Sequence, residues 1–298
     1  MIVFVLFLGL FSAQAQIPTT EIGTLQFVKD FKSSHVDARP LAIWTPPDYS
    51  PLKRYPVIYV YDGQMLFDGT TTWNKTEWDI DSVLGTAISN GALPPCIVVG
   101  VYNIPKIRYR EYFPNKPFQL LPQSLQDSAI TMAMNNIAPS SDEYLKYLVN
   151  EVKPYVDSEY MTLTDRENTF IMGASMGGIM SMYALFDYPE VFSAAACLSS
   201  HFIGGYEYNE TVPNAFAQYI QENSPEPGYC RIYMDYGTET LDAQYEPAQE
   251  IIDNQMQLSG WTKEHWETRK FDGASHTEVS WNARLMIPLN FLLKSESP

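Results

Sequence analysis

Between residues 23 and 44 the chain alternates apolar and polar positions in a strand-like period of two, then runs into the turn cluster Thr45-Pro46-Pro47-Asp48-Tyr49. Five later segments, 55–61, 96–101, 169–172, 194–198 and 231–234, are apolar almost without interruption. Strands that do not alternate must be covered on both faces, which is the condition of a parallel sheet between helices. The segment 142–157 places Tyr144, Leu145, Leu148, Val152 and Val156 at helical spacing, and 177–186 and 247–259 also read as helices. This alternation predicts a three-layer α/β fold around a mostly parallel central sheet. An edge strand is expected from Lys263 onward and a last helix from Val279. Residues 108–141, rich in Tyr, Phe, Pro, Asn and Gln with weak periodicity, predict an irregular excursion that shapes a substrate site.

No repeat, low-complexity tract or linker interrupts the pattern, so residues 16–298 are expected to form one domain. Composition sharpens the picture at three points. The net charge of −16 repels phosphate backbones and anionic headgroups, so neither nucleic acid nor stable membrane association is expected. Residues Ile2 to Phe11 are an unbroken apolar run followed by Ser12-Ala13-Gln14-Ala15, an A-x-A-type cleavage site. Residues 1–15 therefore read as a signal peptide and the protein as periplasmic or extracellular. Cys96, Cys197 and Cys230 are odd in number, form no CxxC pair and lie in strand-like segments, so they read as core residues.

The chemistry concentrates in Gly173-Ala174-Ser175-Met176-Gly177-Gly178. A G-x-S-x-G sequence between an apolar strand and a helix is a nucleophile elbow, and it makes Ser175 the candidate nucleophile. Serine needs a general base. Of the four histidines, His35 and His201 come too early for the order serine, acid, histidine, and His265 opens the edge strand. His276, in the loop after that strand, is the expected base. The acid should follow the fifth apolar run, where Asp242 is preferred, Glu239 is the alternative, and Glu246 and Asp235 remain open. Backbone amides of Gln64 and Met176 are the candidate oxyanion-hole donors.

With these residues the sequence resembles the esterase D-like (Putative esterase) family of α/β-hydrolases, which includes feruloyl and acetyl esterases and enterochelin-type esterases. The likeness covers about residues 24–293. It rests on Val57-Ile58-Tyr59-Val60-Tyr61-Asp62-Gly63-Gln64, on Arg108 with Glu111, Tyr112 and Pro114, and on Glu151, Pro154, Tyr155 and Val156. The Gly-Ala-Ser-Met-Gly-Gly elbow and His276-Thr277-Glu278 with Trp281 complete it. The resemblance implies an α/β-hydrolase fold and an esterase working without metal or cofactor. One departure is that Thr240 stands where family members often carry the acid. Export and abundant aromatic residues suggest acetyl or hydroxycinnamoyl esters on carbohydrates, with Trp73, Tyr112 and His201 as candidate substrate-binding residues. The alternatives are a siderophore trilactone esterase, disfavoured by the acidic charge, a non-catalytic carbohydrate- or ligand-binding module, and an acyltransferase.

Overall fold

A computed structural model describes residues 17–293; the expected signal peptide, residues 1–15, lies outside them. Eight strands form one sheet: β1 (Thr24–Phe31), β2 (Arg39–Thr45), β3 (Val57–Tyr61), β4 (Ile97–Val101), β5 (Thr169–Ala174), β6 (Ala194–Leu198), β7 (Arg231–Glu239) and β8 (Trp266–Ser275). Their spatial order is β1-β2-β4-β3-β5-β6-β7-β8. β1 and β2 run antiparallel, β2 meets β4 antiparallel, and all later pairings are parallel. This is the α/β-hydrolase fold.

The uninterrupted apolar runs are explained by the two faces of this sheet. In β3, Val57, Tyr59 and Tyr61 enter one core while Ile58 and Val60 enter the other. The first core is closed by α2 (Arg108–Tyr112), α3 (Asn115–Gln119), α4 (Gln123–Ala133), α5 (Ser141–Tyr147), α6 (Lys153–Glu159), α7 (Met176–Asp187), α8 (Thr211–Asn223) and α9 (Glu246–Leu258). The second lies under α1 (Ile80–Ser89), α10 (Glu278–Arg284) and α11 (Met286–Leu293), through residues such as Leu84, Leu285 and Leu289. All three cysteines are buried and free.

Two expectations are corrected. Residues 108–141 are not irregular but hold three helices, α2 to α4. Pro114 and Pro122 stand at the N-caps of α3 and α4, so the first two helices last only five residues each, too short to display a period of 3.6. β8 is also longer than its polar start suggested; it extends to Ser275 and delivers His276 directly from the strand end.

Candidate active site

Ser175 sits between β5 and α7 with φ 58° and ψ −122°, a conformation that costs a non-glycine residue roughly 1–3 kcal/mol. The surrounding contacts hold it there. Its N–H donates to the Leu198 carbonyl at 2.9 Å, and its carbonyl accepts from the His201 N–H at 3.1 Å. The glycines permit the crossing: a Cβ on Gly173 would lie 2.6 Å from the carbonyl carbon and oxygen of Gly177. Met176 is the first residue of α7, where backbone N–H groups have no intrahelical acceptor. Gln64 sits in the short helical turn Gly63–Met65 after β3.

His276 follows β8, and its Nδ1 lies 2.6 Å from Asp242 Oδ1. A carboxylate only accepts, so Nδ1 carries the proton and Nε2 keeps its lone pair, the arrangement of a general base. The imidazole is clamped edge-on by Trp281 (centroids 5.1 Å apart) and Tyr245 (5.6 Å), and its backbone N–H donates to Thr240 Oγ1 at 2.8 Å. Burial pushes the Asp242 carboxyl up, but hydrogen bonds and charge from His276, with donors from Ser199 and Gly237, outweigh it and hold the pKa below the ordinary value. Asp242 is thus a buried carboxylate kept ionised beside an imidazole, while Glu239 is exposed on the last residue of β7.

Ser175, His276 and Gln64 open on one cleft of about 390 Å³, together with Trp73, Trp78, Asn103, Arg108, Glu278 and Trp281. Trp73 is 83% exposed at its rim. Arg108 is bound through Nε and Nη2 to the two oxygens of Asp62, at 2.8 and 2.7 Å. The other two candidate substrate residues are corrected. Tyr112 is fully buried beneath the Arg108 guanidinium, whose carbon lies 4.9 Å from the ring centre, with its hydroxyl 3.4 Å from the Asp62 N–H. His201 is buried behind the elbow with Nδ1 2.7 Å from the Tyr245 hydroxyl. Neither lines the cleft.

Sequence reasoning missed the layer behind Asp242. Ser199 Oγ is 2.6 Å from Asp242 Oδ2 and accepts from Trp281 Nε1 at 3.0 Å and Arg284 Nη2 at 2.9 Å. Arg284 also pairs with the buried Asp235 at 2.8 Å. These residues come from the turn after β6, from β7 and from α10, so no local pattern joins them. Among the described residues no group of three or more His, Cys, Asp or Glu could hold a metal ion, and no helix is long and apolar enough to cross a membrane.

The model of the family described as Putative esterase matches residues 34–291. The chain is 26% identical over 202 residues to the uncharacterized protein YbbA of Bacillus subtilis, a match covering 67% of this chain and 68% of that one. It is 25% identical over 153 residues to an endo-1,4-beta-xylanase/feruloyl esterase of Xylanibacter ruminicola, covering 49% of this chain and only 17% of that longer protein. A solved ferulic acid esterase superposes with a TM-score of 0.66 at 16% identity, over 92% of this chain and 99% of that one. At that identity the likeness is one of fold.

Proposed function

The chain belongs to the Putative esterase family and is a carboxylic ester hydrolase; from that premise we propose that it works through an acyl-enzyme on Ser175, with His276 as general base and Asp242 as the acid. The observation that carries this reading is the shared cleft of Ser175 and His276, with Asp242 buried 2.6 Å behind the imidazole. Ser175 Oγ attacks the ester carbon while its proton passes to His276 Nε2 and the carbonyl electron pair moves onto oxygen. The amides of Gln64 and Met176 receive that oxyanion. His276 then protonates the departing alcohol, and water repeats the sequence to free the acid and restore the serine.

The proposed substrates are acetyl or hydroxycinnamoyl esters on carbohydrates, met after export to the periplasm or exterior. Trp73, exposed at the rim of the cleft, supports a ring-bearing substrate, since a flat face stacks on sugars and aryl acids. The feruloyl esterase named among the relatives favours the aryl case.

A panel of p-nitrophenyl esters from acetate to octanoate, with a ferulate, tests this beside Ser175→Ala. Turnover that falls on the order of 10⁴-fold or more in the variant supports the mechanism, because nucleophile and base act as a unit. Turnover that survives the substitution removes Ser175 from the role.

A further inference from the structure

Asp62, the N-cap of the short turn Gly63–Met65 that carries the Gln64 amide, stands in the left-handed region with φ 58° and ψ 46°. Its carbonyl accepts the Met65 N–H at 2.8 Å. Gly63 rests on β4, where a Cβ would lie 2.4 Å from the Gly100 carbonyl carbon. The Asp62 carboxylate takes Arg108 Nε on one oxygen at 2.8 Å and Arg108 Nη2 on the other at 2.7 Å, and Asn103 Nδ2 joins the first. The Asp62 N–H reaches the Tyr112 hydroxyl at 3.4 Å, and the Asn103 N–H donates to Gln64 Oε1 at 3.3 Å. A left-handed aspartate is uncommon and persists only where its surroundings fix it.

Charge matters here as much as geometry. Asp62, Gln64, Arg108 and Ser175 line the same cleft, and Asp62 Oδ2 lies against the elbow, where a Cβ on Gly177 would be 3.4 Å from it. A bare carboxylate at that place repels the negative oxygen that forms during ester cleavage. Both of its oxygens instead face one guanidinium, a group that keeps its charge at every working pH. Among the described residues Arg108 is the only cation paired with Asp62.

We propose that Arg108 is a positioning residue for the oxyanion hole: through Asp62 it holds the turn that bears the Gln64 amide, and it cancels a carboxylate charge that the oxyanion would meet. The assignment rests on the reading of Ser175 as nucleophile and of the Gln64 amide as oxyanion donor.

Two consequences separate this role from substrate binding and from plain stability. A neutral ester carries little charge on its carbonyl oxygen, whereas the tetrahedral intermediate carries a full one. Losing Arg108 therefore harms the transition state and spares the ground state, so kcat falls while KM holds. Neutralising Asp62 as well removes the opposing charge, so part of the rate returns although a further contact is weakened.

Steady-state hydrolysis of p-nitrophenyl acetate by the full chain tests this in Arg108→Met, Arg108→Lys, the double variant Arg108→Met/Asp62→Asn, and Ser175→Ala, with thermal melts beside each. In Arg108→Met kcat should fall roughly 10- to 100-fold with KM within about twofold of wild type. Inhibition by phenylboronic acid, which forms a tetrahedral anion on a nucleophilic serine, should weaken by a similar factor. The double variant should regain about threefold or more of the lost kcat. A kcat within about twofold of wild type beside an inactive Ser175→Ala overturns the positioning role alone. So does a KM that rises with kcat unchanged, or a fall in kcat that leaves boronate affinity untouched. A double variant no faster than Arg108→Met refutes the charge cancellation. Full activity in Ser175→Ala overturns the nucleophile reading and this proposal with it. If Arg108→Met does not fold, Arg108→Lys decides: it keeps the cation but loses the paired donors, so kcat should fall about 3- to 10-fold at unchanged KM, and a wild-type kcat overturns the proposal.

Discussion

Ser199 donates its hydroxyl to Asp242 Oδ2 at 2.6 Å, on the carboxylate oxygen opposite the one that faces His276. The same serine oxygen accepts from Trp281 and Arg284, so its only hydrogen is committed to the carboxylate. The positive charge of Arg284, itself paired with Asp235, reaches the imidazole's partner through one hydroxyl. Asp242 is thereby oriented by contacts on both oxygens, Gly237 N–H adding a third at 2.7 Å.

Ser199→Ala should move the acid limb of kcat/KM to higher pH. Removing a donor raises the affinity of Asp242 for protons and leaves more of its charge on His276, and both changes raise the pH at which the coupled pair is protonated. The variant also strands buried Arg284 and Trp281 donors, which should cost about 1–3 kcal/mol of stability. A pH–rate profile superimposable on wild type rules out any influence of Ser199 on the pair.

Asp242→Asn and Glu239→Gln separate the two carboxylates that the sequence left open. Asn can present an N–H where His276 needs an acceptor, which favours the wrong tautomer, so kcat should fall on the order of 10⁴-fold. Glu239 is exposed and its loss should leave kcat within about twofold of wild type. A reversed ranking in steady-state kinetics gives the acid role to Glu239.

The reach of the sequence can be judged residue by residue. The elbow was legible because its chemistry is local: strand, glycine, serine and helix follow one another within a few positions. Singling out His276 and Asp242 as candidates needed only their place after particular strands, and the two side chains do pair in space. Ser199 meets Arg284 across 85 residues and Tyr245 meets His201 across 44, and neither pair carries a spacing that a single chain displays. Tyr112 and His201 failed as cleft residues for a related reason. Both adjoin cleft-lining or elbow residues in space, but which face of a short helix or turn looks into the cleft is set by packing, and packing sends both inward. The two five-residue helices α2 and α3 were hidden by their shortness, bounded as they are by Pro114 and Pro122.

His201 should make the fold sensitive to mild acid. Unfolded, it takes a proton near 6.5; folded, burial with the charges of His276 and Arg108 holds it near 3. Between those values the unfolded chain binds more protons, so the stability that His201 contributes is complete above about pH 6.5 and is lost as pH falls toward 3. From pH 7 to pH 4 the loss is about 3 kcal/mol. Asp242, whose pKa is lowered, adds a loss in the same direction at still lower pH. Denaturant titrations from pH 4 to 7 should give a shallower slope for His201→Asn than for wild type, and parallel slopes would show that His201 is protonated in the folded protein.

Trp73→Ala should alter substrate binding and nothing else. The indole is 83% exposed, so truncating it removes little buried surface and the melting temperature should hold. Its neighbour Asn74 is tied to Glu278 at 2.8 Å, which keeps this stretch of rim beside the cleft. An aromatic face placed there can stack on the ring of a feruloyl group or a sugar, a contact made equally in ground and transition states. Its loss therefore raises KM with kcat unchanged, by roughly 2- to 10-fold for a stack worth about 0.5–1.5 kcal/mol. p-Nitrophenyl acetate carries its ring on the leaving group, so the informative comparison is between methyl ferulate and methyl acetate, which share the methanol leaving group and differ in the acyl group alone. A rise in KM confined to ferulate puts Trp73 against the acyl group. If both methyl esters keep their KM while a feruloylated oligosaccharide loses affinity, the indole reads the sugar instead. Unchanged constants for all three substrates remove Trp73 from recognition.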